Sequence, residues 1–416
     1  MWTHNMTGAH AAGVVVDGAG NVVTAGMTLV NIDGNQNSGG TDVAWLKFAP
    51  NGTMLATRIY GSSKTNTPLG LALANDNAVI VVGYTEGPFG GSGPAGSGIR
   101  AFAMRIAADG TLEWTSILSQ TAGAARGVAF DPTSNETVVV GDSNNLPAYW
   151  LVAADGTTRR EAPLSTSPGD GQAVASDPDH RDVWFVAGGV RGSIQPGSQP
   201  LGTIDAFLLR LNTSSGEVLQ ATQFGGPGDD RGRSVAVASD GSVYVAGDMN
   251  WYRSGAIDGY VSRHDGTSCR QLWLRQWVTP ALDWAWDVVA HPLENLVLVV
   301  GETAGTWVPA TAASTTVWWP PTTAMATGCT CGSGTRAATT LSPAWPWCPT
   351  TRPCATWWAA RAPPPPMSRS STPSSLRATF APRPPPRSAS SSTTPTRTDR
   401  LGSMLYLTCP RLCLMT

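Results

Sequence analysis

One pattern recurs along this chain and limits what it can become. Between Arg231 and Gly247 a small-apolar run (Ser234, Val235, Ala236, Val237) leads into a turn, Ser239-Asp240-Gly241-Ser242. A second apolar run (Val243, Tyr244, Val245, Ala246) follows, and a glycine closes it. The pattern returns at Gly13–Gly26, Gly70–Gly83 and Gly127–Gly141, is stretched at Gly171–Gly188 and is looser at Asp287–Gly301. A unit this short cannot bury its own apolar face, so repeats of it must stack on one another.

Each repeat has a second half. A glycine-rich loop leads to an apolar strand with an Asp-Gly, Asn-Gly or Gly turn behind it: Asp42–Phe48, Ala101–Ile106, Ala148–Val152, Asp205–Leu211 and Asp258–Arg263. Short strands follow at Met54–Tyr60, Leu112–Leu118, Val218–Phe224 and Gln271–Trp277. Each unit therefore reads as four strands, a to d, with tight a–b and c–d hairpins whose glycines accept positive φ. The c segments recur near residues 42, 100, 147, 204 and 257. That period predicts an all-β fold, a β-propeller of four-stranded blades. Blade cores are expected near 13–60, 70–118, 127–164, 171–224, 232–277 and 287–316, about five intact blades and part of a sixth. Strand a, built from Gly, Ala, Val, Leu and Ser, suits the crowded channel, and the Trp, Phe, Tyr and Leu of strands c and d fill the widening gap between blades. A two-layer sandwich is the competing arrangement.

The segments Gly20–Gly26, Gly241–Gly247, Asp205-Ala206-Phe207 and Gly225-Gly226-Pro227-Gly228-Asp229-Asp230 resemble the SBBP-type β-propeller repeats of secreted and surface proteins. The resemblance spans roughly residues 8–305. It implies a fold and carries no defined catalytic residues.

After about residue 315 the composition changes. Of the 29 acidic residues only Asp399 lies beyond it, and Pro, Thr, Ser, Arg, Cys and paired Trp take over. A Pro/Thr/Ser-rich stalk is one reading. The other is a shifted reading frame: with G-ending codons read one base late, Val317–Thr327 becomes a strand c with its turn. On the same rule Pro343–Trp347 becomes Gly-Val-Ala-Val, Trp357–Ala360 the end of a strand b, and Pro366–Thr372 a seventh strand c. On this reading residues 317–416 are a non-native, disordered remainder of blades six and seven, and the parent ring has about seven blades. Trp2-Thr3 sits where a strand d belongs (compare Trp114-Thr115), so the chain start is expected to complete the last blade and leave no open edge.

A net charge of −2 argues against a nucleic-acid surface. No apolar run reaches the ~18 residues of a membrane span, and the start of the chain has no signal-peptide pattern. Cys269 stands alone before residue 317, so disulfides cannot frame the repeats. Cys329, Cys331, Cys348 and Cys354 lack zinc-site spacing. The five histidines are scattered and read as surface or turn residues.

In a propeller the long b–c and d–a loops share one face, and long loops on a rigid scaffold are where binding concentrates. The candidates there are Asp229, Asp230 and Arg231, Trp251, Tyr252 and Arg253, and Asp283, Trp284 and Trp286. Asp229 and Asp230 among glycines suit Ca²⁺ or a turn cap; no other cofactor is expected. Aromatic rings beside a charge suit a sugar or a peptide, or inter-blade packing. Sequons at Asn5, Asn51, Asn135 and Asn212, the last three near hairpin turns, favour a secreted or cell-surface location. The expected function is non-catalytic: a monomeric module presenting its long-loop face to a glycan, matrix or protein partner. A propeller enzyme of lyase or quinoprotein-dehydrogenase type, working at the channel mouth, is the alternative.

Overall fold

The computed structural model describes residues 2–4, 6–89, 98–250, 257–277, 279, 281–291 and 296–304, and the backbone of Met325–Thr327 and Ala355–Arg361. Its strands form six four-stranded antiparallel sheets. In the first five the strands pair in chain order, as in Ala9–Val16, Val22–Thr28, Asp42–Phe48 and Met54–Tyr60. Apolar cores lie between consecutive sheets rather than inside one sandwich. Trp150 and Val152 of the third sheet pack with Ile80 and Val82 of the second. Tyr149 packs with Phe207 and Leu209 of the fourth, and Phe185 with Val245 and Tyr260 of the fifth. The inner strands lie side by side from first to sixth. The chain is a β-propeller.

The sixth sheet departs from the regular order. Asp283–Ala290 and Leu296–Thr303 take positions a and b, Ala355–Arg361 pairs next, and Met325–Thr327 forms the edge. Trp357–Ala360, expected in shifted frame as the end of a strand b, thus lie in the strand that holds the third place in this sheet.

Every inner strand carries a β-bulge. The register steps from Ala11 to Gly13, Pro68 to Gly70, Ala125 to Gly127, Gly171 to Ala173, Gly232 to Ser234 and Ala285 to Asp287. The residues passed over are Ala12, Leu69, Arg126, Gln172, Arg233 and Trp286, one per sheet. This explains the glycine that closes each repeat. A Cβ on Gly26, Gly83, Gly141, Gly188, Gly247 or Gly301 would lie 1.9–2.1 Å from a carbonyl oxygen of the inner strand just before the bulge. The sequence marks the bulge through its partner on strand b.

The inner strands are also less uniform than expected. They begin ahead of the small-apolar runs, at Asn66, Gly123, Gly169, Arg231 and Asp283. That brings Arg126, Asp170, Arg233, Trp284 and Trp286 into a position expected to hold almost wholly small and aliphatic residues.

Candidate functional site

The loop face gathers the starts of the inner strands, the ends of strands b and the starts of strands c. Aspartates there act first as fasteners. Asp230 is fully buried; Oδ2 accepts the Gly226 N–H at 2.6 Å and Oδ1 the Asn250 N–H at 2.8 Å. Asp283 accepts the Thr279 N–H at 3.0 Å, and Asp205 the Leu201 N–H at 2.8 Å. Each holds a loop by the amide four residues earlier, a local side-chain-to-backbone bond that closes a turn. Asp230 is therefore a turn cap with both oxygens occupied. Asp229 bridges Ile204 through its backbone, and the Arg231 stem packs 3.0 Å from where a Cβ on Gly189 would sit. Among the described residues no three His, Cys, Asp or Glu side chains gather as metal ligands.

Two fasteners meet a second carboxylate at a seam between sheets. The Asp230 N–H donates to the Ile204 carbonyl beside Asp205, and the Asp283 N–H to the Ile257 carbonyl beside Asp258. Burial pushes the carboxyl of Asp230 up to about 6; the Gly226 and Asn250 amides oppose this and the charges of Asp205 and Asp248 add to it. Asp258 is likewise pushed up to about 6, by burial and then by Asp283. Among the described residues neither Asp258 oxygen has a hydrogen-bond partner.

The bulged residues carry the rest of the site, because a bulge re-aims a side chain. Arg126 pairs with Asp142 on its own strand b at 2.9 Å and reaches Asp170 of the next inner strand at 3.7 Å. Burial raises the Asp142 carboxyl, Arg126 lowers it, and Asp170 raises it further. Two sheets on, Arg233 repeats the arrangement: it pairs with Asp248 of its own strand b and lies 4.5 Å from the ring centre of Trp286 on the next inner strand. Trp284 and Trp286 stack at 6.4 Å and 16°, and Trp286 is 43% exposed. Beneath them Ser234 Oγ donates to Asp287 at 2.6 Å.

The structure thus joins Trp284 and Trp286 into one surface and adds Arg233, which sequence reasoning missed. Asp283 anchors the loop that precedes them. Trp251, Tyr252 and Arg253 lie outside the described residues. Arg126, Asp142, Asp170 and Asp248 were also missed; the signal for the two strand-b aspartates was their place directly after the closing glycines Gly141 and Gly247.

His264 corrects the expectation that the histidines are surface or turn residues. It is fully buried, with Nε2 2.9 Å from Ser262 Oγ and Nδ1 3.1 Å from the Cys269 carbonyl, and burial pushes it down to about 4. Cys269 is buried with a left-handed φ of 57°, and its thiol is pushed up to about 12 by burial, far from a reactive thiolate. Asn51 and Asn135 are exposed in hairpin turns on the opposite face, Asn212 is half-buried, and Asn5 lies outside the described residues.

No protein-family model and no curated protein matches this chain. Solved structures similar to it include the WD40 domain of Pan2 from Neurospora crassa, at 11% identity and a TM-score of 0.44 over 71% of this chain and 75% of that one. The Dos1 propeller is similar at 11% identity and a TM-score of 0.45, over 72% and 82%. The dihydro-heme d1 dehydrogenase NirN is similar at 15% identity and a TM-score of 0.41, over 71% and 53%. Sheet order and inter-sheet cores, rather than these scores, assign the architecture. Among the described residues no helix is long and apolar enough to cross a membrane.

Proposed function

We propose that this chain is a non-catalytic binding module that offers its loop face to a glycan or protein partner outside the cell, with Arg233, Trp286 and Trp284 as the contact surface. One observation carries the reading: Trp286 is held 43% exposed by a bulge, between a stacked indole and a guanidinium. A large ring kept in water beside a fixed charge suits the apolar face of a sugar or a partner's side chain.

The ionised groups nearby support binding over catalysis. Arg126 is matched by Asp142 and Asp170, and Arg233 by Asp248. A general acid or base needs a free approach to substrate, and these groups approach one another. The likeness to SBBP-type repeats points the same way, as does the placement of Asn51 and Asn135 on the opposite face, where glycans would leave the loop face clear. The module is taken to act as a monomer, with no cofactor and no nucleic-acid partner.

A glycan array read with wild type, Trp286→Ala and Trp284→Ala tests this. Selective binding that falls at least about tenfold in both variants is expected, the loss typical of a buried aromatic anchor. Binding undiminished in both variants contradicts it.

A further inference from the structure

We propose a second ligand site, a pocket on the third sheet that takes one neutral, hydroxyl-bearing sugar residue. Two peculiarities of that sheet create it. Its b–c connection is the two-residue turn Asn144-Asn145, both with positive φ (51° and 63°), closing the hairpin of Glu136–Ser143 with Leu146–Val152. Such a turn matches the strand twist and needs no further residues. The first, second and fourth sheets carry long connections here, from Thr28 to Asp42, Thr85 to Arg100 and Val190 to Asp205. Where Ile32, Phe89 and Ile194 of those connections pack into the cores of their blades, the third sheet leaves a cavity of about 240 Å³. Leu146, Ala148, Ala162 and Pro163 supply its apolar lining.

The polar side of the cavity is short of protons. Ser119, Thr121 and Ser143 form a triangle of hydroxyls: Ser119 to Thr121 at 2.9 Å, Ser119 to Ser143 at 2.9 Å and Thr121 to Ser143 at 2.7 Å. Ser143 also donates to Glu161 at 2.8 Å. A hydroxyl has one proton to give and a carboxylate only accepts. Four oxygen–oxygen contacts therefore share three protons, and one contact has none. Ser119 is only 1% exposed and also accepts the Thr121 N–H at 3.2 Å, while Thr121 and Glu161 form the exposed rim. The cluster therefore has spare acceptor capacity for an outside O–H donor.

A polyol supplies that donor and uses the spare acceptor capacity of Glu161, while its C–H face lies on Leu146 and Pro163. A single cation would leave most of the cavity unfilled and would find one carboxylate, where such ions take six or more oxygens. The pocket and the Trp284–Trp286 surface belong to different sheets and stand or fall separately.

The test is saturation-transfer NMR on the full chain with glucose, galactose, mannose, fucose and N-acetylglucosamine at millimolar concentration. The variants are Ser143→Ala, Glu161→Gln and Trp286→Ala, each first checked for an unchanged thermal transition. At least one sugar is expected to show transfer, with affinity lowered roughly tenfold or more in Ser143→Ala and Glu161→Gln, since each loses a hydrogen bond involving a charged group. Trp286→Ala is expected to keep it. If Ser143→Ala alters folding, Glu161→Gln at the exposed end of the cluster decides alone. The proposal is overturned if no sugar shows transfer, or if transfer is lost in Trp286→Ala and kept in Glu161→Gln. It is also overturned if Ca²⁺ alone raises the transition through Glu161.

Discussion

Trp2 donates its indole N–H to the Pro50 carbonyl at 2.9 Å, the bond that Trp114 makes with the Ala154 carbonyl at 2.9 Å. Both indoles lie over the glycine of a c–d turn, Gly52 and Gly156, each with positive φ. Trp114 belongs to the outer strand of the second sheet and clasps the turn of the third. Arg160 of the third sheet clasps the turn of the fourth in the same way, through Ser214 and Ser215. Trp2 therefore fills the slot of an outer strand from the blade before the first. Trp2→Ala and Trp114→Ala should each lower stability by about 1–2 kcal/mol, the scale of one hydrogen bond plus an aromatic contact. Urea unfolding checks this; no loss in Trp2→Ala while Trp114→Ala is destabilised would leave Trp2 without a clasping role.

The glycines opposite the bulges make a sharper prediction. In Gly247→Ala the new Cβ meets the Arg231 carbonyl oxygen at 1.9 Å, and in Gly141→Ala that of Ala124 at 1.9 Å. Backbone must move in both. Each should lose about 2–3 kcal/mol by overpacking, whereas Gly34→Ala, in open space, should lose less despite its positive φ. Equal midpoints for all three in thermal unfolding would mean that the bulges are not as described.

Stability should depend on pH in two opposing ways. The raised carboxyl of Asp258 binds its proton more tightly in the folded chain, so its contribution is complete below pH 4 and is lost as pH rises to about 6. His264, lowered from 6.5 to about 4, contributes fully above pH 6.5 and loses this as pH falls toward 4. Asp258→Asn removes a buried carboxylate held beside Asp283, whose burial and neighbour disfavour its charge, so its transition temperature at pH 7 should exceed wild type. Asp230→Asn should gain less, because it gives up a carboxylate held by two backbone amides. Melting curves at pH 4.5 and 7 decide, and a lower transition in Asp258→Asn at pH 7 goes against the account.

We also hold to the shifted frame after residue 315. Transcript sequencing across the codons for residues 300–330 should reveal a junction that restores Val-Val-Ala-Ala and an Asp-Gly turn. An uninterrupted frame through residue 416, or a shifted frame without the repeat pattern, removes that reading.

Much of the fold was legible because its signals are local. The Asp-Gly and Asn-Gly turns placed the hairpins, and Asp42–Phe48 and Gln271–Trp277 fall where the apolar runs placed them. The bulges were not legible, since a slipped register changes no residue type; only the glycine across from each one shows. For that reason Arg126 and Arg233 escaped notice, although they sit beside the very repeats that defined the fold. His264 was misjudged because its partners, Ser262 and the Cys269 carbonyl, become a buried cage only once the c–d turn closes. Trp284 and Trp286 could be named from sequence, but their stacking depends on the bulge between Ala285 and Asp287.

The claim that partners dock on the loop face is tested most directly by comparing the two faces of one molecule. Array binding should be measured for Trp286→Ala and Trp284→Ala on the loop face and for Asn51→Arg and Thr133→Arg in the opposite hairpin turns. Loss confined to the tryptophan variants is the predicted result. Loss confined to Asn51→Arg and Thr133→Arg would put the partner on the other face and contradict the account.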